Sequence, residues 1–264
     1  MDLQLKDKNI FIAGSSAGIG LATARAFLEE GACVMITGRG QERLDQAKNE
    51  LTEHFGADRV AAMSGDMTKT DVLINCLDQC ISVLGSLHSV IANVGIDDTS
   101  EDLDLDDETW TASLNQNLMG AVRLAREAAS RLTGSQDGKA GNIVLISSIA
   151  GLRGFGGPLP YAVSKSGINQ LAFELGMRLG RDSGIRVNSV APGNILFPGG
   201  VWERMLAADE KGWIKRWIRR DVPFNRFGTP EEIADAVVWV ASPRASFVNA
   251  TVITVDGGQV KGPS

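Results

Sequence analysis

Short apolar runs alternate with longer amphipathic runs along the whole chain, and few architectures tolerate that rhythm. Seven runs, "KNIFIAG", "CVMIT", "RVAAMSGD", "LHSVIANVG", "GNIVLISS", "IRVNSVAPG" and "ATVITVDGG", are short and apolar. They lack the two-residue alternation of a strand with one wet face, so they read as strands buried on both faces. Between them, apolar residues recur at helical spacing in "GIGLATARAFLEEGA", "QERLDQAKNELTEHFG", "DVLINCLDQCISVLG", "ETWTASLNQNLMGAVRLAREAASRL", "PYAVSKSGINQLAFELGMRLG" and "PEEIADAVVWVAS". The fourth of these predicts one long helix. The last predicts a helix opening at Pro230 with Thr229 as its cap. Such alternation predicts an α/β fold, a doubly wound parallel sheet of seven strands with helices on both faces. No linker or repeat divides it, so residues 1–264 are expected to form a single domain. Two stretches break the rhythm. Residues 97–108 are acidic and read as a solvated loop and helix start. Residues 194–228 are a Trp-rich insertion before the last helix.

Composition narrows the functional classes. A net charge of -6 suits neither nucleic acid nor an anionic membrane as main partner. No apolar run reaches the roughly 18 residues that span a bilayer. The start "MDLQLKDKNIFIAG" is charged and runs directly into a strand, unlike a secretory signal. Cys33, Cys76 and Cys80 form neither metal-ligand spacing nor an even disulfide set, and Cys76 and Cys80 read as core filler. His54 and His88 have no partners in sequence, and a metal site has no support. A reduced, cytoplasmic setting fits these features.

Between the first strand and the first helix lies "GSSAGIG", with Gly14, Gly18 and Gly20. Glycine lets the backbone turn sharply and approach a pyrophosphate, and the helix N-terminus adds free N–H groups and a partial positive charge. This is the Rossmann-type arrangement for a dinucleotide. The end of the second strand selects the cofactor. Here "MITGRGQERL" offers Arg39 and no carboxylate before Glu42. A guanidinium fork suits a 2′-phosphate, so NADP(H) is favoured over NAD(H).

Tyr161 and Lys165 stand four apart on a predicted helix and therefore on one face. A free phenol ionises near ~10 and is a poor base at neutral pH. A cation within about 4–6 Å favours the phenolate, which makes the residue a workable proton donor and acceptor. Ser148 ends the fifth strand, where a parallel sheet lines its ligand crevice, and its hydroxyl can hydrogen-bond a substrate oxygen that gains charge. Alternation turns Ser147 away.

Taken together, these residues resemble the short-chain dehydrogenase/reductase family over nearly the whole chain, in particular its 3-oxoacyl-carrier-protein reductases. The glycine motif is matched by Gly14, Gly18, Ile19 and Gly20, the acidic residue beside the adenine by Asp66, and the motif after the fourth strand by "ANVG" with Asn93 and Gly95. Tyr161 and Lys165 match Tyr-x-x-x-Lys, and Pro192-Gly193 follows the sixth strand. The resemblance implies Asn117, Ser148, Tyr161 and Lys165 as the catalytic set. Lys165 would also hold the ribose, and Asn117 a relay water. It implies further cofactor contacts at Ser16, Met67 and Ile195, and a homo-oligomer, commonly a tetramer. Ala13, Ala92, Val94 and Phe197 depart from the usual family residues; many members carry Thr where this chain has Phe197.

Family members build their substrate lid from the segment here numbered about 194–228. Phe155, Phe197, Trp202 and Met205 are expected to line the substrate pocket, with Gly199-Gly200 as a hinge. In "KGWIKRWIRR", Trp213, Ile214, Trp217 and Ile218 form an apolar stripe and Lys215, Arg216, Arg219 and Arg220 a basic one. The apolar stripe is expected to pack on the core; a sharper reading places the basic one against an anionic or carrier-linked substrate. The expected activity is NAD(P)-dependent hydride transfer between nicotinamide and a small-molecule ketone or secondary alcohol. A sugar or polyol dehydrogenase and a non-catalytic dinucleotide-binding regulator are the alternatives.

Overall fold

The structure, a computed structural model, describes residues 1–95, 103–132 and 141–260. In chain order its elements are β1 (Asn9–Ala13), α1 (Gly18–Glu29), β2 (Cys33–Gly38), α2 (Gln41–Phe55), β3 (Val60–Ser64), α3 (Thr70–Leu84), β4 (Ser89–Ala92), α4 (Asp107–Leu114), α5 (Gly120–Ala129), β5 (Asn142–Ile146), α6 (Leu159–Ser183), β6 (Arg186–Pro192), α7 (Val201–Ala208), α8 (Trp213–Asp221), α9 (Pro230–Ala241) and β7 (Val252–Val255). The seven strands form one parallel sheet in the order β3-β2-β1-β4-β5-β6-β7. From β1 the chain builds outward through β2 and β3, then returns to place β4 on the other side. That reversal opens a crevice at the carboxyl ends of β1 and β4.

Each strand feeds two cores because successive side chains point to opposite faces. Ile10 and Ile12 of β1 pack with Phe27 and Leu28 of α1, Leu44 of α2, and Ile233 and Val237 of α9. Phe11 and Ala13 pack on the other face with Leu73 and Leu77 of α3, Leu124 and Ala128 of α5, and Ile168 of α6. Each large side chain buried in this way contributes about 1.5–3 kcal/mol. Cys76 and Cys80 belong to the second core; burial pushes their thiols up to about 11 and about 12, so they stay uncharged and inert.

Thr229 and Pro230 open α9 as expected, and Glu232 completes a capping box that the sequence reading did not include. Arg226 grips the same carboxylate through two hydrogen bonds of 2.8 and 2.6 Å, which hold it down to about 2. At the other end of α9, the Arg186 guanidinium donates to the carbonyls of Val240 at 2.8 Å, Ser242 and Val248 at 3.2 Å, and Ala241 at 3.4 Å. Orphaned buried carbonyls are costly. Arg186→Met is therefore expected to remove about 2–3 kcal/mol of stability. The thermal midpoint should fall by about 5–10 °C, which calorimetry would read.

Two expectations need correction. The long helix predicted over 108–132 runs over 107–129, but it is not α-helical throughout: a π-helical turn, Asn115–Met119, lies between α4 and α5. The apolar stripe of α8 also does not reach the main cores. Ile214, Ile218 and Val222 form a small third core with Trp202, Leu206, Trp217 and Phe227. Trp213 stays 57% exposed and stacks on Trp217 at 6.0 Å. Of the acidic stretch, residues 97–102 lie outside the described residues; Asp106 caps α4 by accepting from Thr109 N–H at 2.8 Å. Among the described residues no helix is long and apolar enough to cross a membrane, and no group of three metal-type ligands gathers.

Candidate active site

At the crevice, β1 delivers its glycine loop. Gly14 (φ +67) and Gly18 (φ +54) are left-handed, a conformation that costs a side chain about 1–2 kcal/mol. Ser15 stitches the loop to β2: its N–H donates to Thr37 O at 2.8 Å and its hydroxyl to Ile12 O at 2.7 Å. Asn93, at the end of β4, donates from Nδ2 to Gly14 O at 2.8 Å. Gly20 lies under both. A Cβ there would come within 2.2 Å of Gly14 O and 2.6 Å of Asn93 Nδ2. Ala17 precedes α1 without any side-chain cap, which leaves the first N–H groups of a twelve-residue helix to an anion.

The end of β2 carries the exposed Arg39, and a Cβ on Gly38 would meet Ser16 Oγ at 2.8 Å. Asp66 stands at the neighbouring strand end, with Met67 buried beside it. Burial pushes the Asp66 carboxyl up. Hydrogen bonds from Thr68 Oγ1 (2.7 Å) and N–H (3.0 Å), with the charges of Arg39 and Lys69, outweigh that and hold it below the usual range.

Ser148 follows the end of β5, and the first turns of α6 carry Tyr161 and Lys165. A 3-10 turn, Ile149–Gly151, follows Ser148, whose Oγ accepts from Ala150 N–H at 3.1 Å. A Cβ on Gly151 would fall 2.5 Å from the Lys165 carbonyl carbon, so only glycine lets β5 and α6 close up here. Ser147, turned inward as expected, donates to Lys165 O at 3.0 Å. Lys165 is only 4% exposed; its Nζ donates to Ile146 O at 3.0 Å and lies 5.4 Å from the Tyr161 ring centroid. Asn117 enters from the π-helical turn and donates from Nδ2 to Ser113 O at 3.2 Å. A Cβ on Gly95 would lie 3.0 Å from both Asn117 Oδ1 and Lys165 Nζ, which places the amide and the ammonium around one point. The sequence reading missed Ser113 and the Ile146 carbonyl as supports. The first left a trace in Ser-x-x-x-Asn spacing; the second, a backbone atom, left none.

Pro192 ends β6 and Gly193 packs on Asp256, where a Cβ would come within 2.8 Å. Ile195 is buried and bridges Gly228. Of the expected pocket residues, Phe155 is exposed before α6. Trp202 is stacked on Trp217 at 5.5 Å inside the third core. Met205 lines an open groove of about 280 Å³ with Ala208, Asp209, Trp213 and Ile214. Phe197 lies against Gly18 and Gly200.

A family model described as enoyl-(acyl carrier protein) reductase matches residues 13–259. An uncharacterized oxidoreductase, YvrD, of Bacillus subtilis is 32% identical, with 99% of each chain covered. A 3-oxoacyl-[acyl-carrier-protein] reductase, FabG, of Chlamydia muridarum is 34% identical, covering 98% of this chain and 99% of the relative. Among solved structures, L-sorbose reductase from Gluconobacter frateurii, complexed with NADPH and L-sorbose, superposes over 100% of both chains at a TM-score of 0.89 and 29% identity. With its parallel sheet, glycine loop and Tyr–Lys helix, the chain belongs to the short-chain dehydrogenase/reductase family, a family of oxidoreductases.

Proposed function

We propose that the protein is an NADP(H)-preferring oxidoreductase that interconverts a ketone and a secondary alcohol, with Tyr161 as the general acid and base. The observation that carries this reading is the buried Lys165 ammonium 5.4 Å from the Tyr161 ring, with the Asn117 amide around the same point. The residues present fit a nicotinamide dinucleotide. The uncapped N-terminus of α1 offers N–H groups for the pyrophosphate, Asp66 an acceptor for the adenine end, and Arg39 a fork for a 2′-phosphate. Asn93, Gly95, Pro192, Gly193 and Ile195 border the other half of the same crevice. When bound, the nicotinamide supplies the hydride chemistry.

The chain's own groups handle the oxygen and its proton. Tyr161 donates a proton to the carbonyl oxygen in reduction and recovers it from the alcohol in oxidation. Ser148 Oγ accepts from Ala150 N–H, which leaves its own proton available as a donor to the oxygen that gains charge. Lys165 favours the phenolate by its charge, and its hydrogen bond to Ile146 O holds it in place without neutralising it. Asn117, oriented by Ser113, extends this polar chain beside Gly95. The segment 194–228 acts as the substrate lid of a single domain.

Turnover is read at the reduced-nicotinamide absorbance with two substrate arms, ketoses and β-ketoacyl thioesters. The likeness to L-sorbose reductase favours the first, and the FabG relatives with the basic face of α8 the second. Dinucleotide binding with no turnover on either arm would leave a sensor, not an enzyme. Arg39→Ala is expected to lower kcat/KM with NADPH about tenfold and with NADH less than about twofold, the worth of one exposed charge-assisted contact. Equal losses would end the NADP preference.

A further inference from the structure

Phe197 touches two elements at once. Its ring lies on Gly18, at the start of α1: a Cβ there would fall 2.7 Å from Cε2 and 2.8 Å from Cζ. The same ring lies on Gly200, the residue before α7, where a Cβ would meet Cζ at 3.1 Å and Phe197 O at 3.0 Å. One side chain therefore fills the gap between the glycine loop and the first turn of α7. Trp202 and Leu206 of α7 pack with Ile214, Trp217 and Ile218 of α8 in the third core, and Val222, at the end of α8, reaches Gly257 past β7. The backbone at Gly199 is left-handed (φ +75) with open space around it.

We propose that Phe197 is a positioning residue that couples occupancy of the glycine loop to the placement of α7 and α8. The inference rests on the dinucleotide-binding reading of the loop and goes beyond it. An anion drawn to the N-terminus of α1 arrives beside Gly18, where the ring already sits at contact distance. Close-packed groups do not compress, so a displacement of the ring is handed on to Gly200 and α7. A threonine-sized side chain at this position could not span both glycines. The coupling is thus specific to the aromatic ring this chain carries.

Hydrogen exchange of the intact protein with and without NADPH tests the coupling. In the wild type, NADPH is expected to protect both 14–20 and 201–221, the latter by at least about fivefold. In Phe197→Ala, protection of 14–20 should persist while that of 201–221 falls below about twofold. A merely structural role for the ring would lower the melting temperature of both states and leave the NADPH-dependent difference intact. Should the Ala variant melt below the assay temperature, Phe197→Leu decides: its ligand-dependent protection of 201–221 should drop to under about half of the wild-type effect. Undiminished protection of 201–221 in a folded variant overturns the coupling and leaves dinucleotide binding standing. Absence of protection at 14–20 in the wild type overturns the dinucleotide reading and the coupling with it.

Discussion

Tyr161→Phe is expected to lower kcat about 10³-fold while leaving the dissociation constant for NADPH within about twofold. The substitution removes one oxygen and keeps the ring, so the face that meets Lys165 is preserved. What disappears is the proton that the substrate oxygen must receive or give up. General acid–base groups typically contribute 10²- to 10⁴-fold. Because the loss falls on an interaction formed only in the transition state, kcat and kcat/KM should drop together. Tyr161 is the only tyrosine in the chain, so residual turnover cannot come from another phenol. Single-turnover rates and a fluorescence titration of NADPH separate chemistry from binding. A kcat within about tenfold of wild type would remove Tyr161 from its role.

Gly20→Ala is expected to abolish tight dinucleotide binding and to destabilise the fold, against what helix propensity alone predicts. Alanine is favoured over glycine in a helix interior by about 1 kcal/mol. Here the added carbon would sit 2.2 Å from Gly14 O, 2.6 Å from Asn93 Nδ2 and 2.8 Å from Ser15 Cα. Two of those atoms are backbone, and Asn93 is held by the 2.8 Å bond that ties β4 to the loop. None can yield cheaply. Overpacking of this kind typically costs about 1–3 kcal/mol, so the steric term outweighs the propensity gain. Relief comes only if the loop lifts off the end of β4, which moves the N–H groups at the start of α1. Affinity for NADPH should fall at least about 100-fold, and the thermal midpoint by several degrees, on the order expected for this size. Unchanged affinity in the Ala variant would mean that the loop is not the dinucleotide cradle.

Much of this was legible in the sequence because it is periodic or punctuated. Ile10, Phe11 and Ile12 form an unbroken apolar run because β1 is buried on both faces. Gly14, Gly18 and Gly20 mark a strand-to-helix turn because no other residue fits there. Tyr161 and Lys165 share a face by helical arithmetic, and the Lys165 Nζ lies 5.4 Å from the Tyr161 ring centroid. What stayed hidden was context. The turn at Asn117 reads as plain helix in sequence because "NQNLMG" has no breaker; in the fold, α6 packs against both α4 and the turn itself. The stripe Trp213–Ile214–Trp217–Ile218 announced burial but not its partner. Period tells which face is covered, not which element covers it. Phe197 stands out in sequence only as a departure from the family residue; the glycines opposite it reveal which elements it touches.

The wide turn at Asn115–Met119 makes the length of this segment matter more than its composition. Each residue advances a helix by about 100°. With one residue more than a regular helix needs, α5 can aim Ala121, Leu124, Ala125 and Ala128 at the sheet while Asn117 keeps its own heading towards Lys165. Deleting a single residue there would restore regular backbone bonding and put the two headings in conflict, so that either the amide or the apolar row faces the wrong way. Apart from Asn117, substitutions can drift through this stretch, whereas a one-residue deletion cannot be absorbed.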